Sequence, residues 1–293
     1  MIYLVKLYLI RVSLRVSNLG ELIFMGLGLS GIKDISLKGF EILKSADYIF
    51  IELYTSIIPG FSIERFEKLI NRKIRRVYRR DLEDLSGKEI LSLAEKHRVV
   101  LLVPGDPFIA TTHNSIRLMA IDRGISVKTI HASSIISAIY GSIGLHCYKF
   151  GKIVTIVFPD ERYGYFPETP YHVLHQNLSN NLHTLFLLDI RVDEKKYMTI
   201  GEAIKILLEL ENKIGRKIIS LKTIGIGVAR IGSEDEKIVC NTLGKLLEMD
   251  FGQPPYSLII PGKLHPMEIE SLIKLAGADK RLFGGEYEGK NIA

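Results

Sequence analysis

From Glu21 onward, short apolar runs alternate with stretches whose apolar residues recur every three to four positions. The runs predict strands over Glu21–Leu29, Asp47–Leu53, Ile74–Tyr78, Val99–Val103 and Ile125–Ile130. A few apolar residues bounded by Gly, Pro or charged residues suit a strand buried on both faces. The helical spacing predicts helices over Ser36–Ala46, with Ser36 as its cap, then Ser62–Ile70, Glu89–Lys96 and Thr112–Arg123, the last stopped by Gly124. Strands separated by helices at this spacing argue for a mostly parallel sheet.

After His131 the pattern changes. The small-residue stretch HASSIISAIYGSIG suits a helix or hinge packed closely between two bodies, so the domain boundary is placed there. The expected division is an extension over 1–20, an N-terminal α/β domain over 21–132 and a C-terminal α/β domain over 133–293. The second half offers strands at Ile153–Phe158, Thr184–Leu188, Ile224–Ile231 and Ser257–Ile260, with helices at Glu168–Leu178, Ile200–Glu211, Asp235–Leu247 and Pro266–Leu275. Tyr163–Pro170, rich in aromatics, glycine and proline, reads as a loop. Lys6, Arg11 and Arg15 interrupt the apolar first twenty residues and no small-residue cleavage site follows, so neither a signal peptide nor a membrane span is expected there.

Composition sets bounds on partners. At 293 residues with 47% apolar content, the chain can fill two packed cores. A net charge of +6 permits an acidic partner but lacks the concentration of a dedicated nucleic-acid binder. Cys147 and Cys240 stand far apart without a CxxC pair, which points to reduced thiols in a cytoplasm and away from a zinc site. The basic run RKIRRVYRR at 72–80 reads either as a charge-protected edge strand or as a docking surface for an acidic partner.

Two motifs carry chemistry. Gly26-Leu27-Gly28-Leu29-Ser30-Gly31 fits GxGxxG after a strand, with Glu52 at the end of the next strand where a ribose-binding acid could sit. Lys33-Asp34-Ile35 intervenes before helical spacing begins, whereas a dinucleotide helix should open within the glycines. The second motif is PGDPFIATTH at 104–113, which ends the apolar run Val99–Val103. Pro107 keeps Asp106 out of a helix, so its carboxylate stands at the carboxyl end of the strand. There it either faces a ligand or caps its own turn. The histidines show no metal-binding spacing, and His172 with His175 reads as a solvated helix face. His265, just beyond Pro261-Gly262, would stand at the carboxyl edge of a second sheet, as a ligand or as a helix cap.

Together with the glycine turn, PGDPFIATTH resembles the diphthine synthases, methyltransferases of the tetrapyrrole methylase superfamily. The ordered segments DISLKGFEILKSADYIFIELYTS, HASSIISAI, GLHCYKFGK, HTLFLLDI, KYMTIGEA, GVARIGS and PGKLHPMEIE extend the resemblance from Leu22 to Ala276. It implies the tetrapyrrole methylase fold: two α/β domains with a cofactor cleft between them. It also implies S-adenosyl-L-methionine as methyl donor, and as acceptor the amine of a modified histidine on the translation elongation factor, in diphthamide biosynthesis.

By the same resemblance, Leu29, Asp106, Ile109, Ser134, Ile135, Leu188, Ala229 and His265 bind the cofactor, with Ser133 standing where Pro or Ala is usual. Asp189 runs to Tyr197 without the long insertion of eukaryotic members, so the chain looks archaeal and trimethylation is the expectation. A cytoplasmic homodimer is implied, with neither nucleic acid nor membrane as partner. Methyl transfer to an amine is an in-line displacement in which alignment alone can contribute on the order of 7–11 kcal/mol, so no catalytic side chain and no metal are assigned. Thr55, Thr111 and Thr112, beside strand ends, are candidates for the acceptor side. The alternatives are a tetrapyrrole (precorrin-type) methyltransferase and a non-catalytic module that binds the elongation factor through the basic run.

Overall fold

The computed structural model describes residues 20–160 and 166–286. The expected extension over 1–20, apart from Gly20, and the first three residues of the predicted 163–170 loop lie outside the described residues. The chain divides between Ser134 and Ile135 into two compact units.

The first unit is built on a five-stranded sheet of β1 (Glu21–Gly26), β2 (Tyr48–Glu52), β3 (Arg75–Val77), β4 (Arg98–Val103) and β5 (Ser126–Ile130). The order is β3-β2-β4-β1-β5 and every pairing is parallel, as the alternation predicts. Period-two alternation sends successive side chains to opposite faces. Leu22, Phe24, Val99 and Leu101 pack with Ile90 and Leu91, and with Ile116 and Ala120. Ile23, Met25, Val100 and Leu102 pack with Leu43, Phe66 and Ile70.

Those partners come from α1 (Leu37–Ser45) and α2 (Ile63–Ile70) on one face, and from α4 (Lys88–Ala94) and α5 (Asn114–Asp122) on the other. A short helix, α3 (Arg79–Leu82), joins β3 to α4. Ser36 caps α1 by accepting a hydrogen bond from the Gly39 N–H at 3.1 Å. Adjacent β1 and β4 therefore send their connections to opposite faces. That arrangement opens a crevice over their carboxyl ends.

The basic run spans the edge strand β3, with Arg75 and Arg76 exposed, and ends in α3 at Arg79 and Arg80. Arg75 pairs with Glu89 at 3.1 Å and Lys73 with Glu67 at 2.9 Å. Charge on an edge strand discourages pairing with another chain.

The second unit opens with α6 (Ile135–Ile143) and holds β6 (Val154–Ile156), α7 (Thr169–Ser179) and β7 (Thr184–Leu188). A small hairpin of β8 (Ile190–Arg191) and β9 (Lys196–Tyr197) leads to α8 (Ile200–Ile214). Then follow β10 (Ile224–Ala229), β11 (Lys237–Thr242), α9 (Leu243–Leu247), β12 (Tyr256–Ile260) and α10 (Pro266–Leu275).

The second sheet is mixed, in the order β11-β10-β12-β7-β6. The helix expected over Asp235–Leu247 is replaced by β11 and the short α9. Apolar residues at 238, 239, 243, 246 and 247 imitate helical spacing. The β-branched Ile238, Val239 and Thr242 nevertheless pair with β10 along a sheet edge, and only Cys240 of that strand is buried. Cys147 and Cys240 are free thiols, one exposed and one buried.

Candidate functional site

At the carboxyl edge of the first sheet, the loops after β1 and β4 are stitched together. The Gly28 N–H donates to the Gly105 carbonyl at 3.2 Å, and the Gly105 N–H to that of Gly28 at 2.9 Å. Such an approach needs bare backbone: a Cβ on Gly26 would stand 2.4 Å from the Gly105 carbonyl oxygen, and Gly28 lies at φ +69.

The glycine turn closes on a carboxylate of its own. Asp34 Oδ2 accepts hydrogen bonds from the N–H groups of Leu29 (2.8 Å) and Ser30 (2.7 Å). A 3-10 turn, Gly31–Asp34, then separates the glycines from α1. Donors that would grip a pyrophosphate are occupied, which removes the dinucleotide reading of GxGxxG.

Asp106 is 7% exposed, in the loop after β4. Its Oδ1 accepts from the Phe108 N–H at 3.1 Å, the turn-capping role. Its Oδ2 lies 2.7 Å from His131 Nδ1 and accepts from the Ala132 N–H at 3.3 Å. The carboxylate thus caps its own turn and ties that turn to the segment after β5. Ser134 is buried at the end of that segment, and Ile135 is half-buried at the start of α6. Leu29 is half-buried and Ile109 exposed.

Beside this loop, at the end of β2, lies a buried polar cluster that spacing did not reveal. Glu52 has no exposed surface, and Oε2 accepts from the N–H groups of Tyr54 (3.0 Å) and Thr55 (3.1 Å). Its Oε1 accepts from the Thr55 hydroxyl at 2.5 Å. Burial pushes the Glu52 pKa up to about 7, partly offset by the Thr55 and Tyr54 donors and by Arg79. His113, equally buried, lies with Nδ1 3.1 Å from the Pro107 carbonyl oxygen. Its Nε2, 4.0 Å from Glu52 Oε1, has no hydrogen-bond partner. Burial lowers the His113 pKa, which keeps the ring neutral. Of the other threonines, Thr111 donates to the Pro107 carbonyl at 2.6 Å and Thr112 to Glu83 at 3.1 Å.

In the second unit, β12 runs antiparallel to both β7 and β10, so those two strands run the same way. Their carboxyl-terminal residues, Leu188 and Ala229, share one sheet edge. Tyr256, paired with Ala229, opens β12 at that same edge. Arg230 fixes the approach to Tyr256: its N–H donates to the Pro255 carbonyl at 2.9 Å, and its guanidinium donates to the Phe251 (2.7 Å) and Gln253 carbonyls.

His265 stands elsewhere. It follows the carboxyl end of β12, where Ile260 pairs with Thr184 at the start of β7, so it lies at the opposite edge from Leu188 and Ala229. There His265 Nδ1 caps α10 by accepting from the Met267 N–H at 3.2 Å. It is joined to a hub around Glu268, which accepts from the N–H groups of His265 (2.8 Å) and His146 (2.9 Å), from Lys149 Nζ (2.5 Å) and from His183 Nε2 (3.0 Å). Burial by itself would raise the Glu268 pKa, but these donors outweigh it and hold it at about 2. Among the described residues, no three metal-ligating side chains cluster, and no helix is long and apolar enough to cross a membrane.

An all-parallel sheet with a glycine-stitched switch point precedes a mixed sheet, and the family that this chain matches is one of methylases. Residues 21–247 match the family Tetrapyrrole (Corrin/Porphyrin) Methylases. Similarity over nearly the whole length narrows this further. The chain is 45% identical to the diphthine synthase of Methanocaldococcus jannaschii over 253 residues, 86% of this chain and 97% of the relative. It is 41% identical to that of Staphylothermus marinus over 266 residues, 89% and 96% of the two chains. A crystal structure of diphthine synthase superposes with TM-score 0.80 at 38% identity, covering 89% of this chain and 98% of the other. The chain belongs to the diphthine synthase family, and it is an S-adenosylmethionine-dependent methyltransferase.

Proposed function

We propose that this chain transfers methyl groups from S-adenosylmethionine to the amine of the modified histidine on the translation elongation factor, three times in succession, to give diphthine. The observation that carries the reading is the 45% identity to a diphthine synthase across 97% of that relative. The short β8–β9 hairpin, which joins β7 to α8 where the eukaryotic insertion is missing, supports trimethylation. A homodimer is the family's arrangement, and two free thiols agree with a cytoplasmic setting.

The residues fit the cofactor chemically. Half-buried Leu29 and exposed Ile109 offer apolar wall, backbone after β5 offers hydrogen-bonding groups, and Asp106 offers a carboxylate to a ligand bearing a sulfonium and an ammonium. We assign cofactor holding to these three, to Ser134 and Ile135, and to Leu188 and Ala229. His265, which also caps α10, completes the proposed set, and the sheet register supports adding Tyr256 beside Ala229. When bound, S-adenosylmethionine supplies an electrophilic methyl group. The protein's part is to align the acceptor amine, keep it neutral and exclude water.

Incubation with labelled S-adenosylmethionine and an archaeal elongation factor bearing the unmethylated intermediate tests the reading: label should appear on the factor, and its absence would overturn it. Asp106→Ala should weaken binding of S-adenosylhomocysteine about tenfold by titration calorimetry, roughly 1.4 kcal/mol. Unchanged affinity would leave Asp106 as a turn residue alone.

A further inference from the structure

Each methyl transfer to an amine turns a neutral nucleophile into an ammonium, so the next transfer must wait for a proton to leave. An acceptor methylated three times needs a site that takes a proton repeatedly. The carboxyl edge of the first sheet holds one unabsorbed group of suitable chemistry, the Glu52 cluster. Its carboxylate is sealed from solvent, yet the Thr55 hydroxyl that donates to Oε1 is itself half-buried and offers a way out.

The other side of Glu52 is also set for a proton. A carbonyl can only accept, so the contact from His113 Nδ1 to the Pro107 carbonyl places the ring proton on Nδ1. Nε2 is then a bare acceptor facing Glu52 Oε1 at 4.0 Å, with nothing to accept from. A carboxylate gives it no donor, whereas a protonated Glu52 does. The 4.0 Å separation is longer than a hydrogen bond, and a protonated carboxyl group closes it with a side-chain shift of under about 1 Å, which gives the orphaned Nε2 a donor part of the time.

We propose that Glu52, acting through the Thr55 hydroxyl and backed by His113 Nε2, receives the proton that the acceptor ammonium loses before each methyl transfer. This rests on amine methylation being the reaction. In the step, the ammonium N–H proton passes to Thr55 Oγ1 as the Thr55 proton passes to Glu52, leaving a neutral amine, an intact hydroxyl and a neutral carboxyl. The amine lone pair then forms the N–C bond while the S–C bond breaks, its electron pair going to sulfur. Glu52 returns the proton to solvent by the same hydroxyl before the next round. Thr55 touches the acceptor, and Glu52 and His113 are positioning residues behind it.

Other charges bear on the cluster. Arg79 from α3 favours the carboxylate, and its guanidinium carbon stands 4.8 Å from the centre of the Tyr54 ring. Glu83, just beyond α3, acts on Tyr54 and His113. Burial outweighs them at Glu52 and brings its pKa to about 7, where a carboxyl group can both take and release a proton near neutrality.

The test is the pH profile of kcat on the elongation factor substrate. In the wild type, kcat should rise with pH through about 7. Glu52→Gln should lower kcat on the order of a hundredfold and flatten that limb, with S-adenosylhomocysteine affinity unchanged and thermal stability at pH 8 raised. A structural role alone would not combine higher stability with lost turnover. Thr55→Val should lose turnover similarly while Thr55→Ser keeps it, which tests the relay should Glu52→Gln fail to fold. Wild-type kcat and pH limb in Glu52→Gln, or in Thr55→Val, would overturn the proposal. A wild-type enzyme that puts no methyl on the amine would instead overturn the reading beneath it.

Discussion

Glu52 and Glu268 are both glutamates with no exposed surface, yet burial has opposite consequences for them. Glu268 collects Lys149, His183 and two backbone N–H groups and is held ionised, its pKa near 2. Glu52 has one hydroxyl, two backbone N–H groups and no lysine or arginine in direct contact, so desolvation dominates and its pKa climbs to about 7. Location follows the same division. Glu268 sits at the sheet edge away from Leu188 and Ala229, binding Lys149, His146, His183 and His265 into one knot. Glu52 sits at the edge that also carries the Asp106 loop. A compensated buried charge is a fastening, whereas an under-compensated one is a store of free energy that functional sites tend to keep.

The largest expected effect would come from breaking the fastening. Glu268→Gln leaves Lys149 without its carboxylate, with only the Lys263 carbonyl to accept from it, and should cost about 3–5 kcal/mol in urea unfolding. A cost below about 1 kcal/mol would mean that the hub is ornamental. For the wild type, Glu268 contributes stability present above pH 4.5 that is lost as pH falls toward 2, since its folded pKa is depressed.

Glu52 should show the reverse sign. Its folded pKa of about 7 exceeds the unfolded 4.5, so the folded state holds the extra proton between those values and stability falls as pH rises through that window, by up to about 3 kcal/mol. Glu52→Gln should remove the slope and leave the protein more stable than the wild type at pH 8. A variant that unfolds earlier than wild type at pH 8 would erase the contrast between the two glutamates.

A smaller effect sharpens the assignment of edges. Tyr256→Ala should weaken S-adenosylhomocysteine binding about tenfold, roughly 1.4 kcal/mol. His265→Ala should weaken that affinity as well and cost about 1 kcal/mol of stability as a lost helix cap. Unchanged affinity in His265→Ala would leave that residue as a helix cap alone.

What the sequence made legible follows from how each feature is encoded. β1 and β4 stand out because they are buried on both faces and so read as unbroken apolar runs. β11 did not, because an edge strand with one buried residue leaves the pattern free to imitate a helix. His265 follows a strand's carboxyl end as expected, but a strand's direction within its sheet is a tertiary property, and antiparallel β12 brings that end to the edge away from Leu188 and Ala229. The Glu52–His113 pair joins residues 61 positions apart, beyond any local spacing rule. Asp34 was within reach: an aspartate just past a glycine turn, ahead of the Ser36 cap, is a short-range signal for a loop that closes on itself.

That closed loop has a consequence for selectivity. ATP and the nicotinamide cofactors share adenosine with S-adenosylmethionine and differ from it by bringing phosphate. A turn whose Leu29 and Ser30 donors already hold the Asp34 carboxylate meets an incoming phosphate with like charge and with those two N–H groups taken. The turn thus carries its own permanent competitor for anions, and the abundant phosphate-bearing nucleotides meet a fixed negative charge there.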